Sequence, residues 1–500
     1  MNVIELLNRN SKEYPKKSAL IFQEKSISFF ELKNNTFKLA KFLLDLGLKA
    51  TDTVAIYLPN SLEYVYSYLG IWSAGLVAVP LDYMLTEEEV INFINHSKAK
   101  VLICSFKGGI TKESIKKNCL SVKNIITCRK KEEDLIFFDD ILTKNDIPSL
   151  DLPYREKNYA IIFYTSGTTG TPKGVLINYK QLNAPPLALE YFVDLNFKDI
   201  TLCAVPFSHL GGLIYIQAML WFGITVVLME RFMPLEFLKN ISKYKITCFW
   251  IVPSMYYAFL SLKEFETLDL SSLRWVVTFG ASSSPDALKR FHKFCPNAYI
   301  LNGWGLTETN APTTVIKMGS NKIESVGRPA PWIEVKIVDE KDNELPIGEI
   351  GEIIVKSWVV SEGYYKNQEA TEKAFKNGWF YTGDLGKFDK EGDLYIVGRK
   401  KEMIKVAGEI VFEPEVEAVI MRHPDIKEVA VVGVKDKLRG EVPKAYVVLK
   451  ENSFLKEEDL REFCRKHLAH FKIPHYFEFV NELPKNRVGK INKELLRQRN

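Results

Sequence analysis

From Thr86 to Trp304 the sequence alternates helical and strand patterns, and this alternation limits the possible folds more than any other feature. Thr86 and Glu89 form a capping box that predicts a helix to about Ser97, and the apolar run KVLICSF after it is typical of a buried strand. Further helices and strands alternate as far as the strand AYILNGW. Alternation of this length predicts parallel sheets with helices on both faces and ligand sites at the carboxyl ends of the strands.

The pattern changes at residue 325, where short strands separated by turns indicate an antiparallel β unit. After GRKKE a smaller pattern of strands and helices follows and ends in a basic tail. We therefore predict an α/β fold with parallel αβα sheets in a large N-terminal domain, residues 1–398, which includes a β-rich subdomain at 325–398. A hinge at 399–402 would connect it to a small, mobile α+β C-terminal domain at 403–500.

The composition is that of a globular protein and excludes several classes. The net charge of +5 comes from 67 basic and 62 acidic residues, a bias too small for a dedicated nucleic-acid-binding protein. The seven cysteines form no Cys-x-x-Cys pair, and no His-Glu-x-x-His motif occurs, so we expect neither disulfides nor a zinc site. The N-terminal residues lack the apolar core of a signal peptide, and we predict a cytoplasmic location.

The stretch Ile200–Met229 contains no Lys, Arg, Asp or Glu, and a hydropathy window would mark it as a membrane span. Pro206, Gly211 and Gly223 interrupt it, however, and divide it into a strand, a helix and a second strand. We interpret it as buried core of the large domain. It is the one feature that would favour a membrane transporter.

The strongest local motif is the segment 164–174, YTSGTTGTPKG, which follows the apolar strand AIIFY. It combines three glycines, five Ser or Thr hydroxyls and one lysine. A flexible loop with this many N–H and O–H donors suits the oxygens of a polyphosphate. The spacing is not that of a Walker A loop.

This loop resembles the phosphate-binding motif of the adenylate-forming superfamily, which includes acyl- and aryl-CoA synthetases, firefly luciferase and the adenylation domains of peptide synthetases. Other segments resemble further motifs of that family in the same order: PFSHLGG (206–212), GASSSP (280–285), NGWGLTET (302–309), the segment 381–417 and LPKNRVGKINKELLR (483–497). Because so many motifs agree in order and spacing, the chain is identified as a member of this superfamily.

The resemblance implies an ATP site. The residues that would hold the phosphates are Lys173 and the loop residues Thr165, Ser166, Gly167, Thr168 and Thr169. Thr168 and Glu308 would coordinate Mg²⁺, which takes oxygen ligands and substrate phosphate. The residues in the adenine and magnesium motifs are Gly280, Ala281, Gly303, Gly305, Thr307 and Trp304. Trp304 would stack on adenine, where most members carry tyrosine.

The remaining implied roles concern the ribose, the acid and the two chemical steps. Asp384 would accept hydrogen bonds from the ribose hydroxyls, Arg399 would contact ribose or the α-phosphate, and His209 would gate the acyl pocket. Lys490 would bridge the carboxylate and the α-phosphate during adenylation. Lys405 and Gly408 would reach the site for thioester formation after rotation about Lys401, with Gly408 leaving room for a pantetheine arm.

The predicted function is an ATP-dependent, Mg²⁺-dependent carboxylate–CoA ligase that acts on a fatty or aryl acid, with CoA as co-substrate. Alternatives are an acyl-AMP ligase that loads an acyl carrier protein and a non-catalytic nucleotide-binding protein. An amino-acid adenylation domain is disfavoured because Leu202–Phe222 contains no acidic residue to pair with an ammonium group. The expected partners are small molecules; weak contact with anionic lipid and a homodimer are left open.

Overall fold

The computed structural model describes residues 2–107, 109–143, 149–150, 152, 155–165, 173–263, 267–280, 285–310, 312–407, 409–451, 453–485 and 491–499. The chain forms two compact units. The large unit comprises Met1–Ile323, Gly327–Glu334 and Lys356–Phe380, and the small unit comprises Glu324–Val326, Val335–Val355 and Tyr381–Asn500.

The strands in the first part of the chain are β1 (Ser18–Phe22), β2 (Lys25–Ser28), β3 (Thr53–Tyr57), β4 (Val77–Pro80), β5 (Val101–Cys104), β6 (Asn124–Thr127), β7 (Ile136–Phe137), β8 (Tyr159–Thr165), β9 (Lys173–Asn178), β10 (Ile200–Cys203), β11 (Thr225–Leu228), β12 (Cys248–Ile251), β13 (Trp275–Thr278), β14 (Tyr299–Trp304), β15 (Thr314–Val315) and β16 (Arg328–Pro329). The later strands are β17 (Glu334–Val338), β18 (Gly351–Lys356), β19 (Phe375–Lys376), β20 (Trp379–Phe388), β21 (Leu394–Arg399), β22 (Met403–Val406), β23 (Glu409–Phe412), β24 (Ile426–Asp436), β25 (Gly440–Leu449) and β26 (Tyr476–Phe479).

The α-helices are α1 (Val3–Glu13), α2 (Phe29–Asp45), α3 (Leu62–Ser73), α4 (Glu87–Ser97), α5 (Lys112–Asn118), α6 (Phe138–Leu142), α7 (Ala184–Phe192), α8 (Leu210–Phe222), α9 (Pro234–Tyr244), α10 (Pro253–Leu260), α11 (Pro285–His292), α12 (Gln368–Ala374), α13 (Glu413–Ile420), α14 (Glu457–His467) and α15 (Lys493–Arg497). The predicted capping box is present, since the Thr86 hydroxyl accepts from the Glu89 N–H and the Glu89 carboxylate accepts from the Thr86 N–H.

Two sheets form the large unit. The first has seven strands in the order β7-β6-β5-β3-β4-β8-β9 and is parallel except for the final β8–β9 pair. The second has nine strands in the order β16-β15-β14-β13-β12-β10-β11-β1-β2, and it is parallel from β14 to β1. Helices α2, α3 and α8 contribute to one core cluster with residues of both sheets. The predicted parallel sheets with helices on both faces are confirmed.

The charge-free stretch lies in the core of the large unit, as predicted. It forms β10, helix α8 and β11, and β10 and β11 are parallel neighbours in the nine-stranded sheet. Leu213, Tyr215 and Met219 of α8 are fully buried. No helix in the described part of the chain has the length and apolar character needed to cross a membrane.

The small unit contains antiparallel strands. One group pairs in the order β17-β18-β20, with β21 on β20, and a second sheet has the order β23-β22-β25-β24, with β26 parallel to β25. Its core is formed by aliphatic residues of β22, β24 and β25 together with α13 and α14. The fold class is confirmed: a large N-terminal unit of parallel sheets and a smaller C-terminal unit.

The division between the units falls within β20, after Phe380, and places Val335–Val355 in the small unit. The predicted hinge residues follow β21 as a 3₁₀ turn, Lys400–Glu402. The predicted boundary, between residues 398 and 403, lies later in the chain than this division. A hinge at 399–402 between domains 1–398 and 403–500 therefore stays a prediction.

Candidate active site

The strand before the predicted phosphate loop and the strand after it form an antiparallel pair at the edge of the seven-stranded sheet. β8 ends at Thr165, β9 begins at Lys173, and these two residues are register partners. The loop residues between them lie outside the described residues, which applies to the predicted Ser166, Gly167, Thr168 and Thr169. The structure therefore places Thr165 and Lys173 side by side at the base of the loop.

A short segment, residues 361–365, lies beside β9. The Tyr365 N–H donates to the Gly174 carbonyl at 2.7 Å, so this segment is hydrogen-bonded to the start of β9. The Nζ atom of Lys173 lies 4.8 Å from the ring centre of Tyr364. An ammonium group at this distance is attracted to the face of an aromatic ring.

Glu308 contacts the same tyrosine from the nine-stranded sheet. It lies in the 3₁₀ turn Thr307–Thr309, after β14. The Tyr364 hydroxyl donates to Oε1 of Glu308 at 2.9 Å, and the Ser361 N–H donates to the Glu308 carbonyl at 2.7 Å. Lys173 and Glu308 are half-buried and Tyr364 is buried. We call Lys173, Tyr364 and Glu308 the Tyr364 site.

Two predicted glycines occupy positions that exclude a side chain. β13 and β14 are parallel neighbours, and Gly280 follows β13 with a φ of +89°, a left-handed conformation that favours glycine. A Cβ atom on Gly303 of β14 would lie 2.2 Å from the ring of Phe279 and 2.9 Å from the Thr314 carbonyl oxygen. A side chain at either position would therefore need a strained backbone or a shift of neighbouring atoms, which explains the glycines at the carboxyl ends of these strands.

The other predicted adenine residues follow Gly303 in the chain. Trp304 is the last residue of β14 and is 7% exposed, and Gly305 and Thr307 lead into the turn that contains Glu308. Ala281 lies outside the described residues. The stacking of Trp304 on adenine stays a prediction.

His209 lies at the N-terminus of α8, as its N-cap residue. Its Nε2 atom is 3.0 Å from Oδ2 of Asp82, whose other carboxylate oxygen accepts from the Met84 N–H at 2.8 Å. Sequence analysis found no carboxylate in Leu202–Phe222, and this stretch indeed contains none. A carboxylate nevertheless reaches His209 from the segment after β4, a contact that no local pattern indicated.

In the small unit, the predicted ribose residues Asp384 and Arg399 face each other across the strands β20 and β21. Nε of Arg399 donates to Oδ1 of Asp384 at 2.5 Å, and Asp384 is 5% exposed. The Asp384 N–H donates to the Thr382 hydroxyl at 3.0 Å, which donates to the Ile353 carbonyl at 2.7 Å. The structure thus brings the two predicted residues together and fixes the backbone beneath them.

The residues predicted for the two chemical steps also belong to the small unit. Lys405 lies in β22 with an exposed side chain, and its backbone N–H donates to the Glu441 carboxylate at 3.1 Å. Gly408 and Lys490 lie outside the described residues. Their roles in thioester formation and adenylation stay predictions.

The chain after Lys490 is held by a buried group of charges that the sequence analysis did not predict. Nζ of Lys493 lies 3.0 Å from Glu413 and 2.7 Å from Glu417, and Nη2 of Arg497 lies 2.7 Å from Glu413. We call these four residues the C-terminal charge cluster. Burial alone would lower the pKa of Lys493, but the Glu417 and Glu413 carboxylates outweigh it and raise that pKa above the ordinary lysine value.

The donor atoms at the Tyr364 site suit a magnesium ion bound together with a nucleotide. Mg²⁺ is usually held by one or two carboxylates plus substrate phosphates and water, and the Glu308 carboxylate is half-buried and oriented by a hydroxyl group. The ammonium group of Lys173 lies on the same tyrosine and can bind phosphate oxygens. Among the described residues, no group of three or more His, Cys, Asp or Glu is placed to hold a metal.

Sequence reasoning missed Tyr364 and Asp82. Tyr364 lies in the unremarkable segment 361–365, and its contacts with Lys173 and Glu308 exist only in the folded chain. The one local hint was the Gly363-Tyr364 pair just before a helix-capping Asn367, which indicates a turn but no function.

Comparison with known proteins identifies the family of the chain. The family model described as AMP-binding enzyme matches residues 7–365, and the model of its C-terminal domain matches residues 415–490. A long-chain-fatty-acid–CoA ligase of Bacillus subtilis is 33% identical, over 98% of this chain and 93% of the relative.

Solved structures give the same result. The anthranilate CoA ligase AuaEII in complex with anthranoyl-AMP has a TM-score of 0.92 at 28% identity, over 100% of this chain and 97% of that one. The O-succinylbenzoate coenzyme A synthetase of Bacillus subtilis, in complex with ATP and a magnesium ion, has a TM-score of 0.84 at 28% identity, over 99% and 98% of the two chains. This chain belongs to the AMP-binding enzyme family, the adenylate-forming superfamily that its motifs predicted.

Proposed function

We propose that this protein is an ATP-dependent carboxylate–CoA ligase, an AMP-forming acid–thiol ligase, that acts on a fatty or aryl acid. The acid's carboxylate attacks the α-phosphate of ATP, which gives acyl-AMP and pyrophosphate. The sulfur of CoA then attacks the acyl carbon, which gives acyl-CoA and AMP. The observation that carries the proposal is the convergence of Lys173 and Glu308 on Tyr364, because it provides a cation for phosphate beside an oriented carboxylate.

In this scheme Lys173 binds the oxygens of the departing pyrophosphate, together with the loop hydroxyls of Thr165, Ser166, Thr168 and Thr169. Glu308 and Thr168 hold Mg²⁺, which when bound neutralises part of the phosphate charge. A positioned cation stabilises charge that develops in a transition state, and this is the role we assign to Lys490 in adenylation.

The remaining residues position the substrates. Adenine binds beside Gly280 and Gly303, at the carboxyl ends of β13 and β14, and Trp304 stacks on it. In the small unit Asp384, oriented by Arg399, accepts from the ribose hydroxyls. Lys405 and Gly408 serve thioester formation.

We place the acid near His209, which is the N-cap residue of the apolar helix α8. Phe207, Leu213 and Tyr215 belong to the apolar core in this part of the chain, and apolar surroundings suit the body of a fatty or aryl acid. Asp82 contacts His209 and is therefore not positioned to pair with a substrate ammonium group.

A cytoplasmic location is part of the proposal, and seven free, buried cysteines support it. Contact with anionic lipid and a homodimer stay predictions.

The test is acid-dependent pyrophosphate release over a panel of aliphatic and aryl acids, with and without CoA. We expect release with at least one class of acid and conversion to acyl-CoA when CoA is added. Release without acyl-CoA, combined with acylation of a carrier protein, would favour the acyl-AMP ligase. No release with any acid contradicts the proposal.

The two half-reactions are separated by variants of the small unit. Lys490→Ala should lose acyl-AMP formation by about 100-fold or more, since it removes a cation that stabilises the transition state. Given synthetic acyl-AMP and CoA, it should form the thioester at the wild-type rate. Gly408→Leu should show the opposite pattern. Lys485→Ala, which removes a neighbouring lysine paired with Glu428 at 2.6 Å, is the matched control.

A further inference from the structure

At the Tyr364 site two opposite charges, Lys173 and Glu308, contact the same tyrosine. A lysine and a glutamate this near to one neighbour would ordinarily be expected to pair with each other, as Lys493 and Glu413 do. In the described part of the chain Lys173 forms no ion pair, and its Nζ lies over the Tyr364 ring. The Tyr364 hydroxyl, at the other end of that ring, donates to Glu308. One tyrosine side chain therefore contacts the cation through its ring and the anion through its hydroxyl.

We propose that Tyr364 is a positioning residue that keeps Lys173 and Glu308 apart and aims each at its own part of the nucleotide–metal complex. This inference rests on the proposed role of Glu308 as a magnesium ligand. The hydroxyl acts on Glu308 and the ring acts on Lys173, so the two effects can be removed separately.

The hydroxyl has a defined effect on the carboxylate. A carboxylate has two oxygens, and the Tyr364 hydroxyl binds Oε1 at 2.9 Å. In the described part of the chain no other side chain donates to this carboxylate. One oxygen is thus held by the protein while the other can bind a cation, which favours single-oxygen coordination. The free oxygen of Glu308 would thus be oriented for Mg²⁺, which takes one or two carboxylates together with substrate phosphates.

The ring has a different effect on the lysine. A cation over an aromatic face gains attraction without donating its N–H groups to a carboxylate. The ammonium group of Lys173 thus keeps its N–H donors for phosphate oxygens. If the ring were absent, Lys173 and Glu308 could form a direct ion pair. Lys173 would then no longer be available to phosphate, and Glu308 would no longer be available to the metal ion.

The backbone holds Tyr364 in place relative to both neighbours. The Ser361 N–H donates to the Glu308 carbonyl and the Ser361 hydroxyl donates to the Leu176 carbonyl at 2.8 Å. The Tyr364 N–H donates to the Thr371 hydroxyl at 2.9 Å. The segment 361–365 is therefore bonded to the turn of Glu308, to β9 and to α12, and a side chain carried by it is well fixed.

The experiment measures binding of Mn²⁺, as a magnetic substitute for Mg²⁺, in the presence of α,β-methylene-ATP, by water-proton relaxation. Tyr364→Phe removes the hydroxyl and keeps the ring, Tyr364→Gln keeps a donor and removes the ring, and Tyr364→Leu removes both. Loss of a group that orients a metal ligand typically weakens metal affinity by about 10–100-fold. We expect this loss of metal affinity for Tyr364→Phe, and its kcat should be restored at saturating Mg²⁺. Tyr364→Leu should lose more metal affinity and should also bind the nucleotide less tightly.

Tyr159→Phe is the matched control, because the Tyr159 hydroxyl also donates to a glutamate, Glu362, at 3.3 Å. It should leave Mn²⁺ affinity unchanged. Thermal melting checks folding, and if Tyr364→Phe does not fold, tighter Mn²⁺ binding by Tyr364→Gln than by Tyr364→Leu supports the role of the donor and equal binding overturns it.

The outcomes separate this inference from the proposed function. Weak Mn²⁺ binding by Glu308→Gln with unchanged binding by Tyr364→Phe overturns the role of Tyr364 and keeps that of Glu308. Unchanged binding by Glu308→Gln contradicts the assignment of Glu308 itself. In the double variant Tyr364→Phe/Glu308→Gln we expect no loss beyond that of Glu308→Gln alone, since coupled residues are not additive; an additive loss would contradict the inference.

Discussion

The Tyr364 site and the C-terminal charge cluster differ in whether a lysine pairs directly with the nearby glutamates. At the first, Lys173 lies on a ring whose hydroxyl binds Glu308. In the second, Lys493 contacts Glu413 and Glu417 directly, and its side chain is only 14% exposed. Glu413 and Glu417 are neutralised by Lys493 and have little charge left for a metal ion, whereas Glu308 accepts a single hydroxyl and can still bind one. The comparison distinguishes charges that serve binding from charges that serve folding.

The largest effects should come from replacing the lysine with methionine at the Tyr364 site and in the C-terminal charge cluster. Lys173→Met removes a phosphate-binding cation, so adenylation should fall by about 100–1000-fold, while the free energy of unfolding should change by less than about 0.5 kcal/mol. Lys493→Met leaves two buried carboxylates with one fewer cation and should destabilise the small unit by about 3–5 kcal/mol. Denaturant unfolding and pyrophosphate release measure the two quantities.

Lys131→Met, at an exposed ion pair with Asp140, is the control and should alter neither quantity. If Lys173→Met were the less stable protein and Lys493→Met the slower enzyme with unchanged stability, the distinction between the two groups of charges would be wrong.

A smaller and more local effect is expected at Cys464, the one cysteine in the small unit. It is buried, and burial raises the pKa of its thiol to about 11. If Lys493→Met costs the small unit about 3 kcal/mol, opening becomes about 100-fold more frequent and alkylation of Cys464 should accelerate by that factor. Peptide mass spectrometry after treatment with iodoacetamide reports each thiol separately. The six cysteines of the large unit should react as in the wild type, and equal acceleration in both units would show that the cluster does not act locally.

The smallest expected effect concerns pH. The folded pKa of Lys493 lies above its ordinary value of about 10.4, so its stabilisation is complete below that value and is lost as the pH rises through the folded pKa. The difference in unfolding free energy between wild type and Lys493→Met should therefore be constant between pH 7 and pH 9. A difference that shrinks over this range would mean that Lys493 loses its proton earlier than the cluster allows.

The spacing of hydrophobic residues and the helix-capping residues were sufficient to predict most of the fold. The helix after Thr86 and the strand–helix–strand nature of Ile200–Met229 follow from spacing within one segment, and both are confirmed. The order of the motifs likewise predicted a phosphate-binding role for Lys173 and a magnesium-binding role for Glu308. These features depend on neighbours close in the chain, or on resemblance, and need no knowledge of tertiary contacts.

What sequence reasoning missed depends on contacts between distant segments. Lys493 and Arg497 belong to a basic tail of the kind that is usually solvated, and only folding brings Glu413 to them. Tyr364 is one of 22 tyrosines, and nothing in its own segment distinguishes it from the others. Asp82 reaches His209 in the same way. A single sequence carries no record of such pairings.

The position of the N-terminal hairpin in the nine-stranded sheet has a consequence for synthesis. β1 pairs in parallel with β11, and Leu20 is the partner of Val226. The strands of the seven-stranded sheet, β3 to β9, all leave the ribosome between these two, so that sheet can assemble first. At the usual rates of translation the apolar strand β1 waits roughly 10–40 s for its partner. A strand made among the first residues thus stays without its parallel partner until β11 has been synthesised, and a chaperone that binds apolar segments can protect it during that interval.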